Sequence, residues 1–308
     1  MIACEDIRAT ESWISHIHGV TALVELRSSD DWKRTTNQRV FLQVCYTAVC
    51  PIRSGFLLNA DLIVPQAMGS LIKKTRVSQP IAEFVQSSPA FQSDMELVPA
   101  SRLFRIICGF AQLHASVTRN EVTNPVEIIS TAIGIDNDLS SWVSDLPPLW
   151  RYRTFTWDTA RYFYGDYYHI YQSSWHACIW NYYRACRILV HSILLHNLST
   201  LALPVSLARP ALVSAYCSQR AKSQTLLSRI PLDICASIPY QLGLHEREKN
   251  DYLSIPKPSG VFSLLGILQV LVSLVDASLG SNGWVSKTFE LMGRELGIGQ
   301  ALAIGRTS

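Results

Sequence analysis

The chain has 308 residues, of which 48% are hydrophobic and 17% are charged, and its 27 basic and 24 acidic residues give a net charge of +3. This composition excludes an intrinsically disordered chain, because it supplies ample apolar material for a core. It also argues against a DNA-binding domain, which usually carries a basic patch or stripe. The longest basic run, LIKKTR at Leu71 to Arg76, is typical of a solvated surface turn.

The eight cysteines predict reduced, mostly buried thiols in an intracellular protein. They lie singly among apolar neighbours, and no two of them form a C-x-x-C pair. The N-terminal residues MIACEDIRAT have neither the basic start nor the apolar stretch of a secretory signal. The sequence therefore predicts neither a disulfide framework nor a zinc site for Cys4, Cys45, Cys50, Cys108, Cys178, Cys186, Cys217 and Cys235.

Helical periodicity begins near the N-terminus. Trp13, Ile17, Val20 and Val24 recur at intervals of four, three and four residues, which predicts the apolar stripe of a first helix. The apolar residues 40–49 predict a second helix, and Pro51 ends it. The segment that follows contains several prolines and has a weaker pattern, so we expect only short pieces of structure there.

The next two helices are predicted more sharply. One runs from about Ser101 to Val117, and the other has a clear start signal in the sequence NPVE. Asn124 can cap this helix, Pro125 suits its first position, and Glu127 completes a capping-box pattern. We expect it to reach about Ser144, where two prolines follow.

Four further helical stretches are predicted: one rich in aromatic residues, one from about Ser206 to Leu227, the apolar residues 261–275, and a last one from about Trp284. The apolar stretch would span only about 22 Å, which is too short for a membrane. No stretch shows the alternation that predicts a strand. The predicted fold is all-α, an irregular multi-helix bundle with connecting loops and no significant sheet, in one domain over residues 1–308.

The aromatic stretch, Tyr162 to Val190, holds ten aromatic side chains in its first 22 positions. Three interpretations are open: helix packing, a small-molecule pocket, and a stacking platform for nucleic acid. The helical spacing of one set favours packing: Trp175, Ile179, Tyr182, Cys186, Leu189 and Ile193. A second stripe at similar spacing is predicted to carry polar contacts or to meet solvent: Asn181, Arg184, Arg187 and His191. Upstream, Gly165 and Asp166 would suit a bend into this helix.

The sequence contains no motif that predicts a catalytic or metal site. His169 and His176 would lie two turns apart on one helix face, and the sequence has neither H-E-x-x-H nor G-x-S-x-G. Gly297 and Gly299 match the start of the dinucleotide-binding pattern G-x-G-x-x-G, but position 302 is Leu where the pattern requires glycine. Two pairs of carboxylates lie in polar stretches and are interpreted as caps or surface groups: Asp30 with Asp31, and Asp136 with Asp138.

Five segments, in order along the chain, resemble the helical regulatory domain of fungal-specific transcription factors, the proteins that usually carry a six-cysteine binuclear zinc cluster. WNYYRACRIL is similar to the family pattern W-N-x-Y-R-x-x-R-I-L, and DICASIPYQLG resembles a short motif that is nearly diagnostic of the family. The segments are WISHIHGVTALVELR at 13–27, IDNDLSSWVSDLPPLWRYR at 135–153, WNYYRACRIL at 180–189, DICASIPYQLG at 233–243 and GRELGIGQALAI at 293–304.

The resemblance implies a transcription regulator, of a pathway such as secondary metabolism, that works in the nucleus. It implies protein partners, namely the transcription machinery or a zinc-cluster homologue, and a small-molecule effector as a further partner. It implies no enzyme activity and no cofactor, and no catalytic, DNA-binding or metal-binding residue is carried over. The motif positions Trp180, Asn181, Tyr183, Arg184 and Arg187 are expected to form a packed helix junction in which a buried arginine is satisfied by carbonyls or carboxylates.

The sequence also departs from the family pattern. Ser28 stands where glycine is common, and residues 266–268 read Gly-Ile-Leu where Trp-Pro-Leu is usual. The cysteine spacing of a zinc cluster does not occur, so we expect no direct contact of this chain with nucleic acid. We also expect no contact with a membrane. Two alternatives stay open: a helical metabolite-binding module and a cofactor-free enzyme derived from the same family.

Overall fold

The computed structural model describes residues 97–156, 165–205, 210–244 and 281–294, together with residues 264, 267–268, 270–271 and 301–302. The helices predicted at 13–24 and 40–49, and the glycine pattern at 297–299, lie outside the described residues. The described elements are α1 (Leu97–Thr118), α2 (Pro125–Ser144), a 3-10 turn (Pro148–Trp150), β1 (Arg153–Thr156), β2 (Tyr167–Ile170), α3 (Ser174–Val205), α4 (Pro210–Gln241) and α5 (Ser281–Arg294). The all-α prediction is confirmed, with one small hairpin added.

Helix α2 begins where its capping sequence predicts. The side-chain oxygen of Asn124 accepts a hydrogen bond of 3.0 Å from the backbone N–H of Val126, and Pro125 occupies the first turn. The helix ends at Ser144, as predicted. The two prolines that follow lead into the 3-10 turn, which places Trp150 in the core.

Helix α4 is longer than the sequence predicts. The predicted end at Leu227 is wrong, because the helix continues to Gln241 through Pro231 and Pro239. An internal proline costs a helix about 3 kcal/mol. Residues 234–244 are all buried, and the apolar surface that they remove from water offsets this cost. The chain leaves the helix at Gly243, whose φ of 73° is a conformation that glycine adopts without strain.

Within the aromatic run before α3, residues Tyr167–Ile170 form strand β2, which no pattern in the sequence predicts. Strand β2 pairs antiparallel with β1, so that Thr154 lies opposite His169 and Phe155 lies opposite Tyr168. Gly165 provides the predicted bend with a φ of 77°, but the bend leads into β2 and not directly into the helix. Tyrosine and isoleucine favour strands, and β2 gains a packing surface against α4.

Helix α3 is the centre of the described core. It packs against α4, α2 and α1, and from His176 to His191 only Arg187 is not fully buried. A helix that is buried on every side must satisfy its polar groups within the protein. The residues described in the apolar stretch at 261–275 are helical and buried, in agreement with the predicted buried helix: Leu264, Ile267, Leu268, Val270 and Leu271. None of the described helices has the length and apolar character that a membrane span requires.

None of the five described cysteines takes part in a disulfide. Cys178, Cys186 and Cys235 are buried, as predicted, whereas Cys108 is half-buried and Cys217 is exposed. Burial raises the pKa of Cys108 and of Cys235 to about 12, so both thiols are protonated at neutral pH.

Candidate functional site: two polar clusters on one helix

The polar stripe on α3 faces the protein interior. Asn181, Arg184 and His191 are buried, and Arg187 is nearly so. The prediction that this stripe carries polar contacts is confirmed, and the alternative prediction that it meets solvent is wrong. The stripe divides into two groups, named here the Asp136 cluster and the Arg184 cluster after the charged residue at the centre of each.

In the Asp136 cluster, one buried carboxylate bonds to three basic side chains. Asp136 lies on α2 and is 1% exposed. Its Oδ1 atom accepts hydrogen bonds from Arg187 Nε at 2.8 Å and from His191 Nε2 at 3.1 Å, and its Oδ2 atom accepts one from Lys222 Nζ at 2.7 Å. Arg187 and His191 belong to α3 and Lys222 to α4, so a single side chain joins three helices.

Hydroxyl groups complete this cluster. Arg187 also donates to the hydroxyl of Tyr183 at 2.6 Å and to that of Ser140 at 3.0 Å. The hydroxyl of Ser223 lies 2.9 Å from Nδ1 of His191. Because His191 Nε2 faces a carboxylate, the tautomer that fits has the proton on Nε2 and accepts from Ser223 at Nδ1.

The charges of the Asp136 cluster keep its carboxylate ionised. Burial by itself would raise the pKa of Asp136, but the hydrogen bonds from His191 and Lys222 and the charge of Arg187 outweigh it. The pKa of Asp136 therefore lies well below its usual range. Asp136 is part of the structural core, and its interpretation as a cap or surface residue is wrong; its sequence neighbour Asp138 is exposed.

The sequence did contain a signal for the burial of Asp136. The buried residues of α2 recur at intervals of three and four: Ile129, Ala132, Asp136 and Leu139. A carboxylate within an apolar stripe of this period faces the core and needs a basic partner. The second pair of carboxylates, Asp30 and Asp31, lies outside the described residues.

The Arg184 cluster holds a guanidinium among aromatic rings. Arg184 is 2% exposed, and its Nη1 atom donates to the Tyr171 hydroxyl at 2.6 Å and to Asn181 Oδ1 at 2.8 Å. Its central carbon lies 5.1 Å from the ring centre of Tyr152 and 5.5 Å from that of Trp180, both within cation–π range. Asn181 in turn donates to the Ser237 hydroxyl of α4 at 2.7 Å.

Among the described residues, the positive charge of Arg184 is influenced by the carboxylate of Asp233 but is in direct contact with no carboxylate. Among the described residues no carboxylate forms an ion pair with it, and its Nη2 atom has no hydrogen-bond partner. Tyr171 cannot supply the missing charge, because burial, as the largest effect, raises the pKa of its hydroxyl well above the usual value. The predicted buried arginine is confirmed, with a hydroxyl and an amide oxygen as its partners.

A second group of polar side chains lies beside the same rings. The His169 ring centre is 4.3 Å from that of Tyr152, and His169 Nε2 lies 3.6 Å from Oδ1 of Asp233, too far for a direct hydrogen bond. The Asp233 side chain is 21% exposed, so this end of the cluster reaches solvent. Burial and the charge of Arg184 lower the pKa of His169, which is therefore neutral at neutral pH.

The aromatic stretch serves as packing. Its described aromatic residues are buried or half-buried, and Trp180 donates from Nε1 to the backbone carbonyl of Trp150 at 2.8 Å. Trp142 donates likewise to the carbonyl of Pro99 at 2.7 Å, and its ring contacts those of Trp150 and Trp180. Nucleic-acid stacking needs exposed ring faces, so the described rings do not fit that interpretation.

The two histidines that were expected on one helix face lie on different elements. His169 is on β2, whereas His176 is in the first turn of α3, beside the Trp150 ring and 2.8 Å from the Ser173 hydroxyl. Over the described part of the chain, no three potential metal ligands come together.

No family model, curated protein or solved structure matches this chain. The two clusters, and the motifs to which their residues belong, are therefore the observations from which a function can be argued.

Proposed function

We propose that this chain is the helical regulatory domain of a transcription regulator of the fungal-specific type. In this proposal it acts by contacting other proteins or by responding to an effector, and it performs no chemistry. Its partners are the transcription machinery or a zinc-cluster homologue, and its place of action is the nucleus. Control of a secondary-metabolism pathway is the kind of role that the resemblance implies.

One observation carries the proposal: three of the five motif segments bond to each other through their own motif residues. Trp180 donates to the carbonyl of Trp150, and Arg187 pairs with Asp136, so the segment 180–189 is joined twice to the segment 135–153. Asn181 donates to Ser237, which joins it to the segment 233–243. Segments that resemble one family in sequence thus form one structural unit.

The roles of these residues also favour regulation over catalysis. Charged and polar side chains of the Asp136 cluster bond mainly to one another, and five of its members are fully or nearly buried: Asp136, Tyr183, Arg187, His191 and Ser223. Such networks fix one arrangement of helices and leave few groups free to react with a substrate. A domain that presents a fixed surface to partners needs this kind of interior.

A tethering experiment tests the proposal. The full chain is fused to a heterologous DNA-binding domain, and transcription of a reporter with the matching operator is measured in a fungal host. We expect the fusion to change reporter output relative to the DNA-binding domain alone. We also expect Asp136→Asn to abolish that change, because it removes the charge that joins three helices, and the exposed control Asp138→Asn to preserve it.

Two results would count against the proposal. A fusion that leaves the reporter unchanged, at protein levels equal to those of the control, would refute the regulatory role. A nanomolar, salt-sensitive complex of this chain alone with duplex DNA would refute action through protein contacts, since such salt dependence reports phosphate binding by the chain itself.

A further inference from the structure

We propose that the Arg184 cluster is a binding site for a small organic carboxylate, with the guanidinium of Arg184 as its anchor. Arg184 lies on α3 beside the β1–β2 hairpin, and the rings of Tyr152, Tyr171 and Trp180 surround it. If the regulatory role proposed above holds, this ligand is the effector of the domain. The binding site itself is argued from geometry alone.

The first argument is the unbalanced charge. A buried guanidinium without a counter-ion is costly, and its cost falls when an anion shares its environment. The nearest basic neighbour on α3, Arg187, bonds directly to the carboxylate of Asp136, whereas Arg184 donates to neutral oxygen atoms and Asp233 acts on its charge only from a distance. These two arginines lie one turn apart in the same helix but differ in their partners. Nη2 of Arg187 donates to Ser140, whereas Nη2 of Arg184 has no hydrogen-bond partner.

The second argument is the presence of two buried polar atoms without a hydrogen-bond partner. Nη1 of Arg184 is occupied by Tyr171 and Asn181, so Nη2 is the part of the fork that remains for a ligand. Nε2 of His169 is a second buried polar atom without a hydrogen-bond partner among the described residues, and its ring lies against Tyr152, as the guanidinium does. The guanidinium and the imidazole that carry these two atoms therefore both contact the ring of Tyr152.

The third argument concerns the class of anion. A carboxylate carries one negative charge, which balances the single charge of Arg184, and its flat shape suits a guanidinium. A phosphate would bring nearly two negative charges close to the carboxylate of Asp233, whose Oδ1 atom lies 3.6 Å from Nε2 of His169. The aromatic walls suit an apolar body, so an aromatic or aliphatic monocarboxylate fits best.

The binding experiment uses the purified full chain and two probes of the same shape. Benzoate carries the charge, and benzamide is its neutral analogue. We expect calorimetry at low salt to give a Kd for benzoate at least about tenfold lower than that for benzamide, since a charge-assisted hydrogen bond is formed only with benzoate. Equal affinities, or no binding of benzoate, would overturn the proposal.

Two variants and a control locate the site. Arg184→Met keeps a long flexible side chain among the rings and removes the charge, so the preference for benzoate should disappear. The same change at a surface arginine of α1, Arg102→Met, should leave the preference unchanged. A preference that persists in Arg184→Met would overturn the assignment of Arg184.

If Arg184→Met does not fold, Asp233→Asn decides the question. It removes the negative charge closest to the solvent end of the cluster, so benzoate should bind several-fold more tightly and benzamide as before. An unchanged Kd for benzoate would overturn the proposal. None of these measurements involves transcription, so their failure is distinct from a failure of the reporter experiment.

Discussion

Replacement of Asp136 by asparagine tests the physical account of the core. The variant keeps the size of the side chain but leaves Arg187 and His191, both at most 14% exposed, without their anion. The side-chain oxygen of asparagine can still accept hydrogen bonds in place of one carboxylate oxygen. Its NH2 group, however, would place a hydrogen-bond donor against the ammonium group of Lys222. Lys222 is 47% exposed and can turn to water, so the loss falls mainly on the other two partners.

Loss of one partner from a buried ion pair costs about 3–5 kcal/mol. We expect Asp136→Asn to lower the free energy of unfolding by about 3 kcal/mol, near the lower end of this range, because Tyr183 and Ser140 still accept hydrogen bonds from Arg187. Urea unfolding followed by circular dichroism measures the difference in free energy of unfolding.

The control for this measurement is Asp138→Asn, at an exposed position two residues further along the same helix. It should change the free energy of unfolding by no more than about 0.5 kcal/mol. A double variant of Asp136→Asn with Arg187→Met should lose less stability than the sum of the two single variants, because the second change removes the unpaired charge. If Asp136→Asn is as stable as the control, the view that this carboxylate holds three helices together is wrong.

Two more predictions follow from the same contacts. The pKa of Asp136 is lower in the folded than in the unfolded chain, so its contribution to stability is complete above the ordinary aspartate pKa of about 3.9 and is lost as the pH falls through the folded value. The free energy of unfolding should therefore fall more steeply below about pH 4 for the natural protein than for Asp136→Asn, and parallel curves would contradict this. Trp180→Phe removes the donor to the carbonyl of Trp150 and should cost about 1–3 kcal/mol in urea unfolding, whereas Trp175→Phe, at a half-buried position of the same helix, should cost less.

The helices could be predicted wherever a local signal fixes them. The cap at Asn124 and the prolines after Ser144 set both ends of α2, and the apolar period sets α1. The end of α4 could not be predicted in this way, because prolines usually end helices and only the burial of the segment after Pro231 lets this one continue. The hairpin was missed because its aromatic residues also fit a helical bend.

The candidate site was only half visible in the sequence. The spacing of Arg184, Arg187 and His191 predicted a polar stripe, and the family resemblance predicted a buried arginine. The role of Asp136 could not be predicted from its residue type, because aspartate is usually a surface or capping residue, and only its place in an apolar stripe indicates burial. That Arg184 bonds to no carboxylate among the described residues depends on which segments meet in space, and residue spacing along one helix carries no information about that.

The bonds between the motif segments have a consequence for how this chain can change over generations. A substitution that removes the carboxylate of Asp136 leaves Arg187 on α3 and Lys222 on α4 without their anion. A descendant with such a substitution is therefore expected to replace Arg187 as well. Asp136 and Arg187 are 51 positions apart in the sequence, and we expect substitutions at the two positions to occur together. We expect many substitutions to be tolerated on the exposed face of α2 and few to be tolerated where α2 packs against α3.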